Sequence, residues 1–407
     1  MLKENAARII EKTIWVSLCG FVFFSPWSIA GAQTMLILGL LAWLVKMLLG
    51  GRPDFVRTPL NLPILLYVAA MVISVIFSPL KLNSLMSLKE EWLILVFFLV
   101  VNNIREEEKV GKLLTILISV SALVGIYAVW QHYSGMDLYR NRMLEPRGEV
   151  FISTGLFDHH LTFGGYWMLV LLLAAIVYLG QKRSGFIRMV DLLAPLILGI
   201  SLIFSYARSA WFGAMMGALG FAFLKGGKYI IFFISAVMLL FLLIYFLEPT
   251  IWERVTEIDL SPDNPESTRI RLWLTSLNMI KDKPVWGIGL GNFGQFFDKY
   301  KVEGIYDATC HPHNDYLNVG VNSGLLGLLA YLSIWVVFLR STYKKMKRGE
   351  KNRFSHSVQM GGMVAVIAFL FAGLFQCYYT DAEVNMLIML ILGLTTVINL
   401  KTKEGES

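Results

Sequence analysis

Three short segments of this 407-residue chain hold most of the side chains whose type and spacing could support chemistry. The first is Cys310-His311-Pro312-His313-Asn314-Asp315-Tyr316. A histidine here takes a proton near neutral pH and so suits activation of a hydroxyl, with His313 as general base. His311, Asn314 and Asp315 stand beside it. A His-Pro-His metal site is the rival reading, but two histidines without a third and fourth ligand fall short of one. Ordinary hydrogen-bonded loop histidines are a further alternative. The second segment is Ser205-Tyr206-Ala207-Arg208-Ser209-Ala210-Trp211-Phe212, a tight turn in which Arg208 has apolar neighbours on both sides. Such an arginine either snorkels to lipid phosphate or grips a phosphate bidentately. The third is Glu266-Ser267-Thr268-Arg269-Ile270-Arg271. Two cations in a first helical turn oppose the helix dipole unless an anion is bound there, or unless Arg269 pairs with Glu266 or another loop acid. His159-His160 closes another long loop. Gly289-Leu290-Gly291-Asn292-Phe293-Gly294 matches G-x-G-x-x-G, but no strand precedes it and no βαβ unit surrounds it, so it reads as a tight turn.

The elements that must position these residues follow from composition. The chain is 56% hydrophobic and 16% charged, against about 25% charged in soluble domains, and mean hydropathy is +0.61. This excludes disorder, a disulfide scaffold and a nucleic-acid-binding domain. An all-α polytopic membrane protein remains. Twelve apolar segments are near the length a bilayer requires: 13–32, 33–49, 60–78, 85–102, 112–132, 161–180, 189–207, 209–224, 229–247, 316–339, 358–377 and 384–400. The net charge of +7 is mostly topological. With both termini cytoplasmic, 23 of the 36 Lys and Arg fall in inner segments, and seven of the other 13 lie in one long outer loop. The chain divides into helices one to nine over 1–247 (with an outer loop at 133–160), a long outer loop over 248–315, and three helices with a tail over 316–407.

Loops of that length are usually functional. In the second, Asn264-Pro265-Glu266 reads as an N-cap, a first-turn proline and a first-turn acid. Ile270, Trp273, Leu274, Leu277 and Ile280 then mark one face of an amphipathic helix that Pro284 ends, lying on the membrane-facing surface or over a cavity. Lys46, Asp191 and Glu383 fall near span ends, so the mid-depth carboxylates and histidines of an ion-coupled carrier are missing. A polysaccharide carrier or flippase loses weight accordingly.

At these residues the chain resembles the O-antigen ligase and polymerase superfamily of bacterial envelope enzymes. His313-Asn314, nine residues and then Gly324 fits the ligase pattern. Arg269 four residues before Trp273, followed by Lys283-Pro284-Val285-Trp286-Gly287-Ile288-Gly289, fits the loop signature. Arg208 stands at the other outer arginine, and Gly155-Leu156-Phe157-Asp158-His159-His160 is similar to the family's Gly-x-Phe-x-His/Asn segment. Phe212 departs from the Leu frequent four positions after the first arginine. The resemblance implies a GT-C-like membrane glycosyltransferase of the bacterial inner membrane, with its active site on the periplasmic face. Its activity would be inverting, free of cofactor and metal, moving a glycan from undecaprenyl pyrophosphate to a sugar hydroxyl of lipid A-core. Arg208 and Arg269 would hold the pyrophosphate, His313 would accept the proton, and Arg271 or His159 would contact sugars. An O-antigen polymerase, extending a second lipid-linked glycan, is the alternative. Membrane lipids are the other expected partners.

Overall fold

A computed structural model describes residues 2–49, 55–180, 185–247, 249–256, 265–304, 306, 311–348 and 352–401. In chain order the helices are α1 (Leu2–Phe24), α2 (Ile29–Leu49), α3 (Asn61–Phe77), α4 (Lys81–Leu88), α5 (Leu95–Asn103), α6 (Glu107–Ser134), α7 (His160–Leu179), α8 (Gly185–Ile203) and α9 (Arg208–Lys225). They continue as α10 (Gly227–Leu247), α11 (Pro249–Thr256), α12 (Pro265–Asp282), α13 (Phe293–Tyr300), α14 (Asp315–Lys347), α15 (Arg353–Ala372) and α16 (Ala382–Lys401). Two hairpins of two-residue strands, pairing Met136 with Met143 and Pro146 with Phe151, are the only strands among the described residues.

Each of the twelve expected segments contains helix, and among the described residues six helices (α2, α6, α7, α14, α15 and α16) are long and apolar enough to cross a bilayer. Their packing is what a lipid solvent permits. α16 is buried from Val384 to Asn399, and α15 is buried nearly as completely. The peripheral helices turn leucine and isoleucine outward, as at Leu41, Leu44 and Leu48 of α2 and Leu62 and Leu65 of α3. Buried amides join the central helices: Gln359 Nε2 donates to Asn399 Oδ1 at 3.0 Å, and Asn399 Nδ2 to Thr342 Oγ1 at 3.0 Å.

Three expected boundaries are corrected. The break between the first two segments falls at Ser25–Ser28 and not at 32/33, because Pro26 disfavours helix at the residue before it. The segment 85–102 is not one helix: α4 passes through a 3₁₀ stretch, Lys89–Ile94, before α5 begins. The segment 358–377 ends early, at Ala372, which leaves Gln376 and Cys377 in a loop over 373–381.

The segment 316–339 is also more than a single straight span. α14 runs for 33 residues but is broken at Gly324, which has φ +64° and ψ −166°. That backbone region is essentially restricted to glycine. The 284–289 stretch threads into the break. Leu325 N donates to Pro284 O at 2.8 Å and Leu326 N to Val285 O at 3.2 Å, while Ile288 N donates to Val321 O at 2.9 Å. The backbone groups released by the broken helix are thus satisfied by the loop. Gly287, at φ +71°, lies against Val321, Asn322 and Ser323 so closely that a Cβ would overlap their backbone; a Cβ on Gly324 would overlap Val285. The family-like spacing from His313-Asn314 to Gly324 therefore measures the distance from the start of α14 to the point where the long loop is clamped.

The long loop has its own small core of Leu272, Met279, Ile288, Phe293 and Val321. α12 begins at Pro265 as expected; Asn264 and the side chain of Glu266 lie outside the described residues. Thr268, Leu272, Thr275, Ser276 and Met279 point inward, whereas Ile270, Leu274 and Leu277 remain 44%, 46% and 42% exposed. The loop core accepts small hydroxyl-bearing residues, and the apolar stripe is left on the outside.

Candidate active site

The loop over 373–381, Gly-Leu-Phe-Gln-Cys-Tyr-Tyr-Thr-Asp, is where the candidate residues meet. The start of α14 is bonded to it almost residue by residue. Asp315 N donates to Gly373 O at 2.8 Å. Asn314 caps α14 by accepting from Leu317 N at 2.9 Å, and its Nδ2 donates to Leu374 O at 2.9 Å. Asn314 N donates to Cys377 Sγ at 3.3 Å, and buried Asp315 accepts from Tyr379 N at 2.9 Å. Asn314 and Asp315 thus hold the loop, and through it they orient His313.

His313 itself is held by Gln376. Its Nδ1 lies 2.6 Å from Gln376 Oε1. With the amide oxygen turned to the ring, Nδ1 carries the proton and Nε2 is the basic nitrogen. The backbone of His313 sits in the left-handed region at φ +49°, an unfavourable conformation for a residue with a Cβ, and its N–H donates to His311 Nδ1 at 3.3 Å. The two imidazoles are 4.3 Å apart between centroids. Burial, with His313 and the Arg269 cation nearby, depresses the pKa of His311 to about 4. His311 is therefore neutral near pH 7 and a poor base. Among the described residues no three His, Cys, Asp or Glu side chains gather as a metal site.

Arg269, in the first turns of α12, is half-buried and close enough to His311, Cys377 and Tyr378 to act on their protonation. Burial lowers its own pKa, and the Tyr378 and Cys377 groups oppose that shift. A guanidinium stays protonated at neutral pH regardless. Arg271 is turned away: the site of a Cβ on Gly304 lies 2.5 Å from its Cδ and Nε, so Arg271 packs on the 301–304 stretch. Two residues along a helix separate side chains by about 200°, which accounts for the split. Trp273, one turn beyond Arg269, donates from Nε1 to Pro312 O at 3.0 Å and fixes α12 over the His311–His313 turn.

Arg208 is the half-buried first residue of α9. The next residue, Ser209, shares a hydrogen bond of 2.9 Å with Tyr378, which places the start of α9 beside the same loop that Arg269 faces. Phe212, the departure from the family-like pattern, packs edge-on to Phe375 at 5.5 Å, and Phe375 meets Trp273 at 6.1 Å. The larger ring joins the Arg208 helix to the Arg269 helix. α7 arrives at the same place: Thr162 Oγ1 donates to Asp381 Oδ2 at 2.5 Å. His159 caps α7, accepting from Leu161 N at 3.1 Å, and is exposed beside the Asp381 and Asp158 charges. The N-termini of α7, α9, α14 and α16 thus surround one loop, and their dipoles add to Arg208 and Arg269 in favouring an anion.

Gln376 was missed from the sequence, as was Glu91, which accepts from Tyr67 Oη at 3.2 Å and from Tyr379 Oη at 3.3 Å. The available signal was the density of Gln, Cys, Tyr, Thr and Asp between two apolar helices. Gly289, in the G-x-G-x-x-G segment, lies in a turn packed against the Ser78 and Ser84 hydroxyls, and Asn292 Nδ2 donates to both at 3.0 Å. Cys310 lies outside the described residues.

Residues 167–332 match the model of a family described as O-antigen ligase, which supports an assignment of the chain to that family. The matched segment contains Arg208, Arg269, Arg271, His311, His313, Asn314 and Asp315; His159 and the 373–381 loop lie outside it. No match is found among curated proteins.

Proposed function

We propose that this multi-pass membrane protein of the O-antigen ligase type transfers a glycan from undecaprenyl pyrophosphate to a sugar hydroxyl of lipid A-core, at the periplasmic face of the bacterial inner membrane and with both termini cytoplasmic. The observation that carries the reading is the His313–Gln376 pair standing between two arginine-bearing helix starts. In the reaction His313 Nε2 takes the proton of the acceptor hydroxyl as its oxygen attacks the anomeric carbon. The bond from that carbon to the pyrophosphate oxygen breaks on the opposite side, which inverts the configuration. Negative charge builds on the departing undecaprenyl pyrophosphate, where Arg208, Arg269 and the converging helix N-termini stabilise it. Those fixed cations do the work a divalent ion does in other transferases, so activity in EDTA is expected. Both lipids reach such a site by lateral diffusion in the membrane.

The spacing from His313-Asn314 to Gly324 favours ligation over polymerisation. The deciding experiment supplies purified protein with the lipid-linked glycan and lipid A-core in EDTA. Glycan on lipid A-core is the expected product. Longer lipid-linked glycan with untouched lipid A-core would assign polymerisation instead.

A further inference from the structure

Against Tyr379 and Thr380 of the 373–381 loop lies a cavity of about 330 Å³ that the reaction as derived does not use. Gln33 of α2, Glu90, Glu91 and Trp92 of the 3₁₀ stretch, Thr380 of the loop and Asn385 of α16 line it. Its walls are fixed. Glu91 is held between the Tyr67 and Tyr379 hydroxyls, and Asn385 Nδ2 donates to Tyr379 O at 2.6 Å. Asn385 is only 4% exposed, so its amide is part of the fixed wall.

We propose that this cavity is a subsite for an uncharged, hydroxyl-bearing sugar ring of the acceptor. The lining suits that chemistry: carboxylates and amides accept and donate to vicinal hydroxyls, and the Trp92 indole offers an apolar face to ring C–H groups. The charge pattern excludes the other candidates. The lining holds the exposed Glu90 carboxylate and no Lys, Arg or His, so a phosphorylated or acidic sugar would be repelled. Tyr379 connects this cavity to the start of α14, since its N–H donates to Asp315 while its hydroxyl donates to Glu91. Assignment of the sugar to the acceptor rests on the transfer reading above; the preference for a neutral sugar does not.

Saturation-transfer NMR tests this with the whole protein in lipid nanodiscs, where no detergent sugar competes. The probes are methyl glucoside, methyl galactoside and glucose 1-phosphate. A methyl glycoside should give a signal that glucose 1-phosphate does not. Asn385→Leu removes the bond to Tyr379 O that fixes this wall and should weaken that signal about tenfold. Gln33→Leu, at a half-buried position in the first turns of α2, should weaken it in the same direction and guards against misfolding of the first variant. Glu90→Lys, at the exposed rim, should admit glucose 1-phosphate. Equal signals in wild type and both leucine variants, or a wild-type preference for the phosphorylated sugar, would overturn the proposal. If binding behaves as stated and no glycan transfer occurs with any acceptor, the transfer reading fails while the sugar site stands. If transfer occurs and Gln33→Leu and Asn385→Leu leave the acceptor KM unchanged, the site's assignment to the acceptor fails.

Discussion

Replacing Gln376 isolates the orientation of the base from the base itself. In the folded protein Gln376 Oε1 fixes His313 Nδ1 at 2.6 Å, while donor groups on α9 and α12 stand apart from this contact. Gln376→Leu removes the acceptor and keeps the bulk. The imidazole then loses both its preferred tautomer and its fixed plane. A half-buried donor left without an acceptor costs about 1–3 kcal/mol. Where that cost falls on the transition state, the rate drops about 5- to 150-fold. The expected result is kcat lower by about 10- to 100-fold, with the donor KM little changed and the thermal unfolding midpoint near that of wild type. Gln376→Glu gives an independent readout. A carboxylate beside the ring favours imidazolium and raises the His313 pKa, so the base stays protonated to higher pH and the acid limb of the pH–rate profile moves up by about one unit or more. His311 is no substitute source of that limb, because its pKa is depressed to about 4. Initial rates of glycan transfer by purified protein, taken across pH and across both substrates, measure all three quantities. Wild-type kcat in a well-folded Gln376→Leu protein, together with an unmoved acid limb in Gln376→Glu, would refute the role assigned to this pair.

Arg208→Lys should weaken donor use by about tenfold or more although the charge is kept, because the planar fork is lost; donor KM and kcat report it, and unchanged values would contradict a bidentate grip. Arg271→Ala should leave donor KM close to wild type, since Arg271 packs on the 301–304 stretch; a loss matching that of an Arg269 variant would contradict the division between them. Gly324→Ala forces a side chain into a glycine-only conformation against Val285, at a cost of about 1–3 kcal/mol from the backbone alone. Its thermal unfolding midpoint should fall by several degrees, with activity lost as the clamp on the 284–289 stretch loosens.

The sequence makes the membrane class and the candidate site residues stand out for different reasons. Long apolar segments are readable because every backbone group in lipid must be satisfied locally, so helix follows directly from hydropathy. Arg208, Arg269 and His313 stand out because so few charges lie outside the basic loops. The apolar stripe of α12 is legible, but periodicity alone does not say which side of the helix faces protein. Thr275 and Ser276 are fully buried there, and Leu274 and Leu277 are not. Gln376 is hidden for another reason. It follows an apolar helix without a charge to mark the boundary, and its partner lies 63 residues away in the chain. The break at Gly324 is equally silent, since it depends on the 284–289 stretch arriving to satisfy its backbone.

The central claim is that His313 acts on the acceptor hydroxyl while the arginines hold the donor. Purified His313→Ala protein, loaded with undecaprenyl-pyrophosphate glycan and mixed with lipid A-core in a single-turnover experiment, separates these roles. The account predicts donor affinity close to that of wild type, with transfer slowed by about a hundredfold or more, the range of a lost general base. Transfer at the wild-type rate, or donor binding lost along with transfer, would contradict it.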